Sequence, residues 1–139
     1  MDSKISQRDS DRRAVDVLYR ISALSNNENN PLISLEKILD EVIGVFGASS
    51  ASISMLNADS DKLLIEVEKG LSKESKGFEL PMGVGITGWV AMHGEPFLSG
   101  NVAEEEKYFR LDERVRSEMA APLTEGGRTV GALNVDSME

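Results

Sequence analysis

Gly83, Gly85 and Gly88 stand at G-x-G-x-x-G spacing within Gly83-Val84-Gly85-Ile86-Thr87-Gly88-Trp89-Val90. In a dinucleotide site that spacing supplies a tight turn, close approach of backbone to pyrophosphate, and a helix N-terminus facing the negative charge. It works behind a buried parallel strand and ahead of a second one that bears an acidic residue about 20 positions on. Here the preceding Phe78-Glu79-Leu80-Pro81-Met82 alternates and carries a proline, which cannot donate to a ladder and suits an edge strand. The acidic match downstream, Glu104-Glu105-Glu106, ends no apolar strand and reads as a solvated run. A dinucleotide-using enzyme is therefore the minor alternative. The glycines are expected to turn the chain into a short helix from Ile86 to His93, ended by Gly94 and followed by Glu95-Pro96, which lies as a lid over a sheet.

Other reactive side chains are few. The absence of cysteine removes disulfides, thiolate metal sites, thioether attachment of a chromophore and cysteine nucleophiles together. His93, the single histidine, falls at a helix end where the dipole favours a cation, and reads as an exposed helix-end residue rather than an axial haem ligand. No G-x-S-x-G elbow, P-loop, H-E-x-x-H or paired-histidine spacing is present, so the chain is expected not to be an enzyme and to have no catalytic or metal-ligating set. With 24 acidic against 15 basic residues the net charge is −9, and no basic stripe offsets it; contact with nucleic acid or an anionic membrane is not expected. No apolar run approaches the ~20 residues of a membrane span. Met1-Asp2-Ser3-Lys4 leads into charge without an apolar core, which makes the cytoplasm the expected location.

At 139 residues the chain is read as one domain, 1–139, able to bury about two thirds of its unfolded surface. Residues 1–11 are expected to be flexible. From Arg12 to Leu24, Ala14, Val17, Leu18, Ile21 and Leu24 recur at three and four positions and predict a helix with one apolar face. Ser25 to Pro31 reads as a loop, and Ser34 as the cap of a second helix that turns Leu35, Ile38, Leu39, Val42 and Phe46 inward and ends at Gly47. The period then changes to two. Ala51, Ile53 and Met55 alternate with Ser50, Ser52 and Ser54, and Asn57 to Asp61 turns the chain into Leu63 to Val67. Pro96 to Ser99 predicts a short strand, Ala103 to Arg114 a solvated loop or short helix anchored by Tyr108, Phe109 and Leu111, and the last segments a hairpin about Gly126-Gly127. The sum is α+β: N-terminal helices, a sheet of five or six strands, and a lid inserted between hairpins.

Pro81 to Ala91 followed by Gly94-Glu95-Pro96 resembles the GAF-domain signature of a strand, a G-x-G-x-x-G turn, a helix and a G-x-P loop. Asn101-Val102, Arg116-Ser117-Glu118-Met119-Ala120-Ala121-Pro122-Leu123 and Val130-Gly131-Ala132-Leu133-Asn134-Val135-Asp136-Ser137 are similar to later pieces of it, and Leu18-Tyr19-Arg20-Ile21-Ser22 to the opening helix in bacterial signalling proteins. The resemblance implies a GAF-like (PAS-like) antiparallel sheet with terminal helices on one face and a small-molecule pocket under the lid on the other. It further implies a sensory domain of a sensor kinase, cyclase or transcription regulator, as in two-component systems, that relays occupancy through its terminal helices to an output domain. The alternative within the family is a ligand-free dimerisation module, with residues 12–25 pairing two copies. The family's usual last helix has no counterpart after Met138-Glu139. The effector is not named by the sequence: family subtypes that attach a bilin or reduce free methionine sulfoxide need the thiols this chain lacks. For an organic ligand, Met55, Trp89, Val90, Tyr108, Phe109 and Met119 are the candidate walls, and Asn101 and Asn134, with Asp136, the candidate polar contacts.

Overall fold

The computed structural model describes residues 31–57, 59–109 and 112–139. The predicted helix over 12–25, the tail before it and Leu111 lie outside the described residues. Helix α1 (Pro31–Phe46) is followed by β1 (Ser50–Asn57) and β2 (Lys62–Lys69), then β3 (Glu79–Pro81), helix α2 (Gly85–His93), β4 (Phe97–Ser99), β5 (Ser117–Glu125) and β6 (Arg128–Ser137). The strands form one sheet in the order β3-β2-β1-β6-β5-β4, with every neighbouring pair antiparallel. This is the expected α+β architecture.

Helix α1 begins at Pro31, earlier than the cap at Ser34 suggested. Proline belongs in a first helical turn, where its missing N–H has no partner to lose and its φ is already helical, so a residue that read as the end of a loop opens the helix instead. At the other end Gly47 adopts φ 62° and the Ala48 N–H donates to the Ile43 carbonyl, closing the helix as expected. Ile38, Leu39 and Val42 are buried against Ala51, Ile53, Val67, Leu133 and Val135 of the sheet.

Strand pairing fixes which side chains share a face. Across β1, β6 and β5, Ser50, Asp136 and Glu118 form one row, and Ser52, Asn134 and Ala120 the next; the intervening rows are Ala51, Val135 and Met119, then Ile53, Leu133 and Ala121. Because successive residues of a strand point to opposite faces, the second set lies under α1 and the first faces the lid. In β2 a bulge places Ile65 opposite Ser54 but Val67 opposite Ile53, so one strand serves both faces with apolar side chains. The last hairpin turns through Gly126 (φ 57°) and Gly127 (φ 79°), the left-handed pair that a two-residue turn between twisted strands requires.

The glycine motif finds its role here. Strand β3 sits at one edge of the sheet and β4 at the other, so α2 and its flanking turns carry the chain across the whole lid face. Gly83 turns with φ 82°, and its N–H donates to the Gly88 carbonyl. A Cβ on Gly85 would stand 2.9 Å from the Phe109 Cβ, and one on Gly88 would stand 2.9 Å from the Pro81 carbonyl oxygen. The spacing that imitates a pyrophosphate cradle packs a helix against an edge strand and a covering loop. No described helix is long and apolar enough to cross a membrane.

Candidate ligand-binding site

Between the sheet and the lid lies a cavity of about 50 Å³, room for a few waters at roughly 10–15 Å³ each. Its floor is the polar face of the central strands: Ser52 and Ser54 of β1, Glu118 of β5, and Asn134 and Asp136 of β6, with Ile65 of β2 beside them. Its roof is Gly85, Ile86 and Thr87 from the start of α2, Leu71 and Phe78 from the β2–β3 segment with Leu80 of β3, and Tyr108, Phe109, Asp112 and Val115 from the segment before β5. The Phe78 and Phe109 rings lie 5.8 Å apart, and Phe109 is partly open to solvent at 42% exposure.

The floor chemistry is unusual for a sheet interior. Glu118 is 7% exposed and Asp136 3%, and the two sit directly opposite on neighbouring strands, where like charges are unfavourable. Burial raises the Glu118 carboxyl to about 8, and the charge of Asp136 adds to it, against hydrogen bonds from Thr87 and Asn134. Asp136 is raised to about 7, again first by burial, while bonds from Asn134 and Ser50 pull it down and Asp112 pushes it further up. Near neutral pH the pair therefore retains a proton. A carboxyl so held can donate a hydrogen bond, or a proton, to whatever occupies the cavity. The Asn134 Nδ2 donates to both oxygens of Asp136 at 3.2 Å, and the Ser50 hydroxyl reaches Asp136 at 3.4 Å. The Asn134 Oδ1 is buried without a partner, a costly state for an amide oxygen.

Asp112 behaves oppositely. Its carboxylate accepts from Arg114 Nε at 3.0 Å and Nη2 at 2.7 Å. The guanidinium holds its carboxyl down to about 2 despite burial. Among the described residues that line the cavity, it is the acid held ionised beside the pair. Among the described residues no group of three or more histidines and carboxylates is arranged to hold a metal ion.

The structure brings three of the sequence-predicted residues to the cavity: Tyr108, Phe109 and Asn134. Met55 and Met119 pack on the other face, under α1, because they fall on the alternation shared by Ala51 and Val135. Val90 is fully buried with Ile86, Val102, Val115, Ala120 and Ala132 behind the roof. Trp89 stacks on His93 at 4.3 Å and meets Phe97 at 5.3 Å, away from the cavity. Asn101 is exposed and its Oδ1 accepts from the Ala103 N–H, capping a turn. Asp136 enters as anticipated for a polar head; Glu118, Thr87 and Asp112 were not singled out. The signal for Glu118 was present, since it alternates with Met119 as the β1 serines alternate with Ile53 and Met55.

Residues 33–139 match the sequence model of the GAF domain. The chain belongs to the GAF domain family. No curated protein matches it in sequence. Among solved structures, this GAF domain is similar to a free methionine-R-sulfoxide reductase from Neisseria meningitidis in complex with its substrate, at TM-score 0.77 and 24% identity over 88% of this chain and 72% of that one. It is also similar to the GAF domain of an Acinetobacter phosphoenolpyruvate-protein phosphotransferase, at TM-score 0.76 and 24% identity over 90% and 77%. A third is a type II free methionine-R-sulfoxide reductase from Thermoplasma acidophilum, at TM-score 0.66 and 17% identity over 74% and 71%. These likenesses show the fold. They also correct the expectation that the chain is not an enzyme: two of the three are enzymes, so the fold carries catalysis as well as regulation, and the absence of familiar catalytic motifs does not decide between them.

Proposed function

We propose that this GAF domain binds a small molecule in the cavity between the central strands and α2, and that occupancy is passed through its terminal helices to an attached output domain. The observation that carries the reading is the polar floor. A face needed only for packing would repeat the Ala51, Ile53, Leu133 and Val135 chemistry of the α1 side, yet Glu118, Asp136 and an unpartnered Asn134 Oδ1 are buried beneath aromatic cover. The sheet is hydrogen-bonded strand to strand at these positions, whereas the roof is loop and short helix, so the parts suited to move are those of the roof. A ligand of more than a few heavy atoms requires Phe78 and Phe109 to part, which couples occupancy to the roof.

Thermal melts against a broad panel of metabolites test this, with native mass spectrometry of the protein as purified. At least one compound should give a saturable rise in melting temperature that disappears when the floor is altered by Asn134→Leu. A flat response across the panel, with no retained mass, would remove the reading.

A further inference from the structure

The lid-side floor cannot ionise fully while it stays covered. Glu118 and Asp136 are opposed across β5 and β6, both buried, and Asp112, held ionised by Arg114, lines the same cavity. Among the described residues no lysine, arginine or histidine lines it. A second charge on the pair would meet its own neighbour and Asp112 with no cation between them. Water cannot relieve this in the closed state, because a space of about 50 Å³ holds only a few molecules. The pair also touches both layers: Asp136 is bonded within the sheet by Asn134 and Ser50, whereas Glu118 accepts from Thr87 of the roof. Part of that roof is a single aromatic contact, the Phe78 and Phe109 rings at 5.8 Å.

We propose that the pair is a proton-operated gate: with a proton held between Glu118 and Asp136 the Phe78–Phe109 cover stays closed, and loss of that proton parts the rings and admits water to the floor. Two carboxylates are tolerable there only when hydrated, so the open form holds the pair's protons less tightly than the closed form. Opening and proton release are then two sides of one equilibrium, and opening is favoured as pH rises. The burial-raised carboxyls place this response near and above neutrality. The inference goes beyond the ligand-binding reading and does not depend on it, since the proton itself is the input.

The groups around the pair leave this balance in place. From β1 come Ser50 and Ser52 and from β4 Ser99, none of which titrates. On β2, Glu68 stands opposite Ser52, and its Oε2 accepts from the Leu71 N–H. The start of α2 brings Thr87, and the titratable residue of that helix, His93, is stacked on Trp89 away from the cavity. Lys73, Glu74, Lys76 and Glu79 of the β2–β3 stretch are exposed, as are Arg116, two positions before Glu118, and Glu139, three after Asp136. The segment before β5 brings Tyr108 and Asp112, with Arg114 engaged by Asp112. Asp112 adds negative charge beside Asp136 and so acts with the gate rather than against it.

The test is NMR relaxation of side-chain methyl groups by a neutral, water-soluble nitroxide, TEMPOL, on the full chain. Ile65 and Ile86 line the cavity and report the gate; Ile53 and Leu133, buried on the α1 side, report the rest of the core. The open population, and with it the nitroxide's effect on Ile65 and Ile86, should rise by about tenfold from pH 6 to pH 8, while Ile53 and Leu133 stay unchanged. Glu118→Gln should hold Ile65 and Ile86 at their pH 6 level throughout; Asp136→Asn takes its place if that variant fails to fold, and the pH dependence of the native protein decides if both fail. A nitroxide effect that does not change with pH, or that rises equally at Ile53 and Leu133, overturns the gate. So does a rise that survives in the folded variants. The metabolite panel is read separately: a hit there leaves ligand binding standing beside a failed gate, and a flat panel removes ligand binding while a pH-dependent gate stands.

Discussion

Under α1 the central strands present Ala51, Ile53, Leu133 and Val135; one residue along, the same strands present Ser50, Ser52, Asn134 and Asp136 to the lid. Both sets are buried. The first lies against Ile38, Leu39 and Val42 and gains from every methylene removed from water. The second, with Glu118 of β5 opposite Asp136, holds two carboxyls opposed across a strand pair and an amide oxygen without a partner, each of which costs stability. Burial therefore does not separate scaffold from site. What separates them is whether the buried groups satisfy one another.

The largest effect expected from this contrast is on the α1 face. Leu39→Ala, at a position with no exposed surface, should lower unfolding free energy by about 2–5 kcal/mol in urea titrations. A smaller loss would mean that α1 is held loosely and that the two faces differ less than their packing implies. Next in size is the joint between lid and edge strand. A methyl at Gly88 would press on the Pro81 carbonyl at 2.9 Å and the Gly83 nitrogen at 3.1 Å, so Gly88→Ala should cost about 1–3 kcal/mol, read in the same titration.

The polar face should respond to pH with the opposite sign to an ordinary salt-bridged acid. Folding raises the Glu118 and Asp136 carboxyls above their unfolded values, so it favours their protonated forms. Their contribution to stability is complete below about pH 4 and is lost as pH rises through about 7 and 8. Asp112 runs the other way: its lowered carboxyl contributes above its unfolded value and the contribution is lost only as pH falls toward about 2. Glu118→Gln removes one titrating partner and should flatten the fall between pH 5 and 8, with a gain of about 1–2 kcal/mol at pH 8. Unfolding free energies measured at several pH values check this; a variant as pH-dependent as the parent would contradict it. The smallest effect belongs to the roof. Phe109→Ala should change stability by about 1 kcal/mol or less, since the side chain is part-exposed. It should nevertheless speed hydrogen exchange of the Gly85 amide, since Gly85 packs against the Phe109 side chain.

Much of this was legible in the sequence. The glycine motif with its proline-bearing approach placed an edge strand, a turn and a covering helix in order, and the alternation of Ser50, Ser52 and Ser54 with Ala51, Ile53 and Met55 identified strand β1 with two distinct faces. The site was harder to read. Methionines and aromatics were the natural candidates for walls, but Met55 and Met119 share the parity of the α1-facing residues, and only the strand register reveals which parity meets the lid. Glu118 looks like a solvent-facing residue until β4 and β6 close around β5. Asp112 sits in a run so charged that burial was not expected; Arg114, two residues on, is what makes it tolerable.

The most direct measurement is a ¹³C NMR titration of the side-chain carboxyl carbons in the free protein. Glu118 and Asp136 should titrate together, well above the ordinary carboxylate range, while Asp112 titrates below it. If all three move within the ordinary range, the floor of the cavity is solvated surface rather than a buried carboxyl pair, and the contrast between the two faces of the sheet loses its basis.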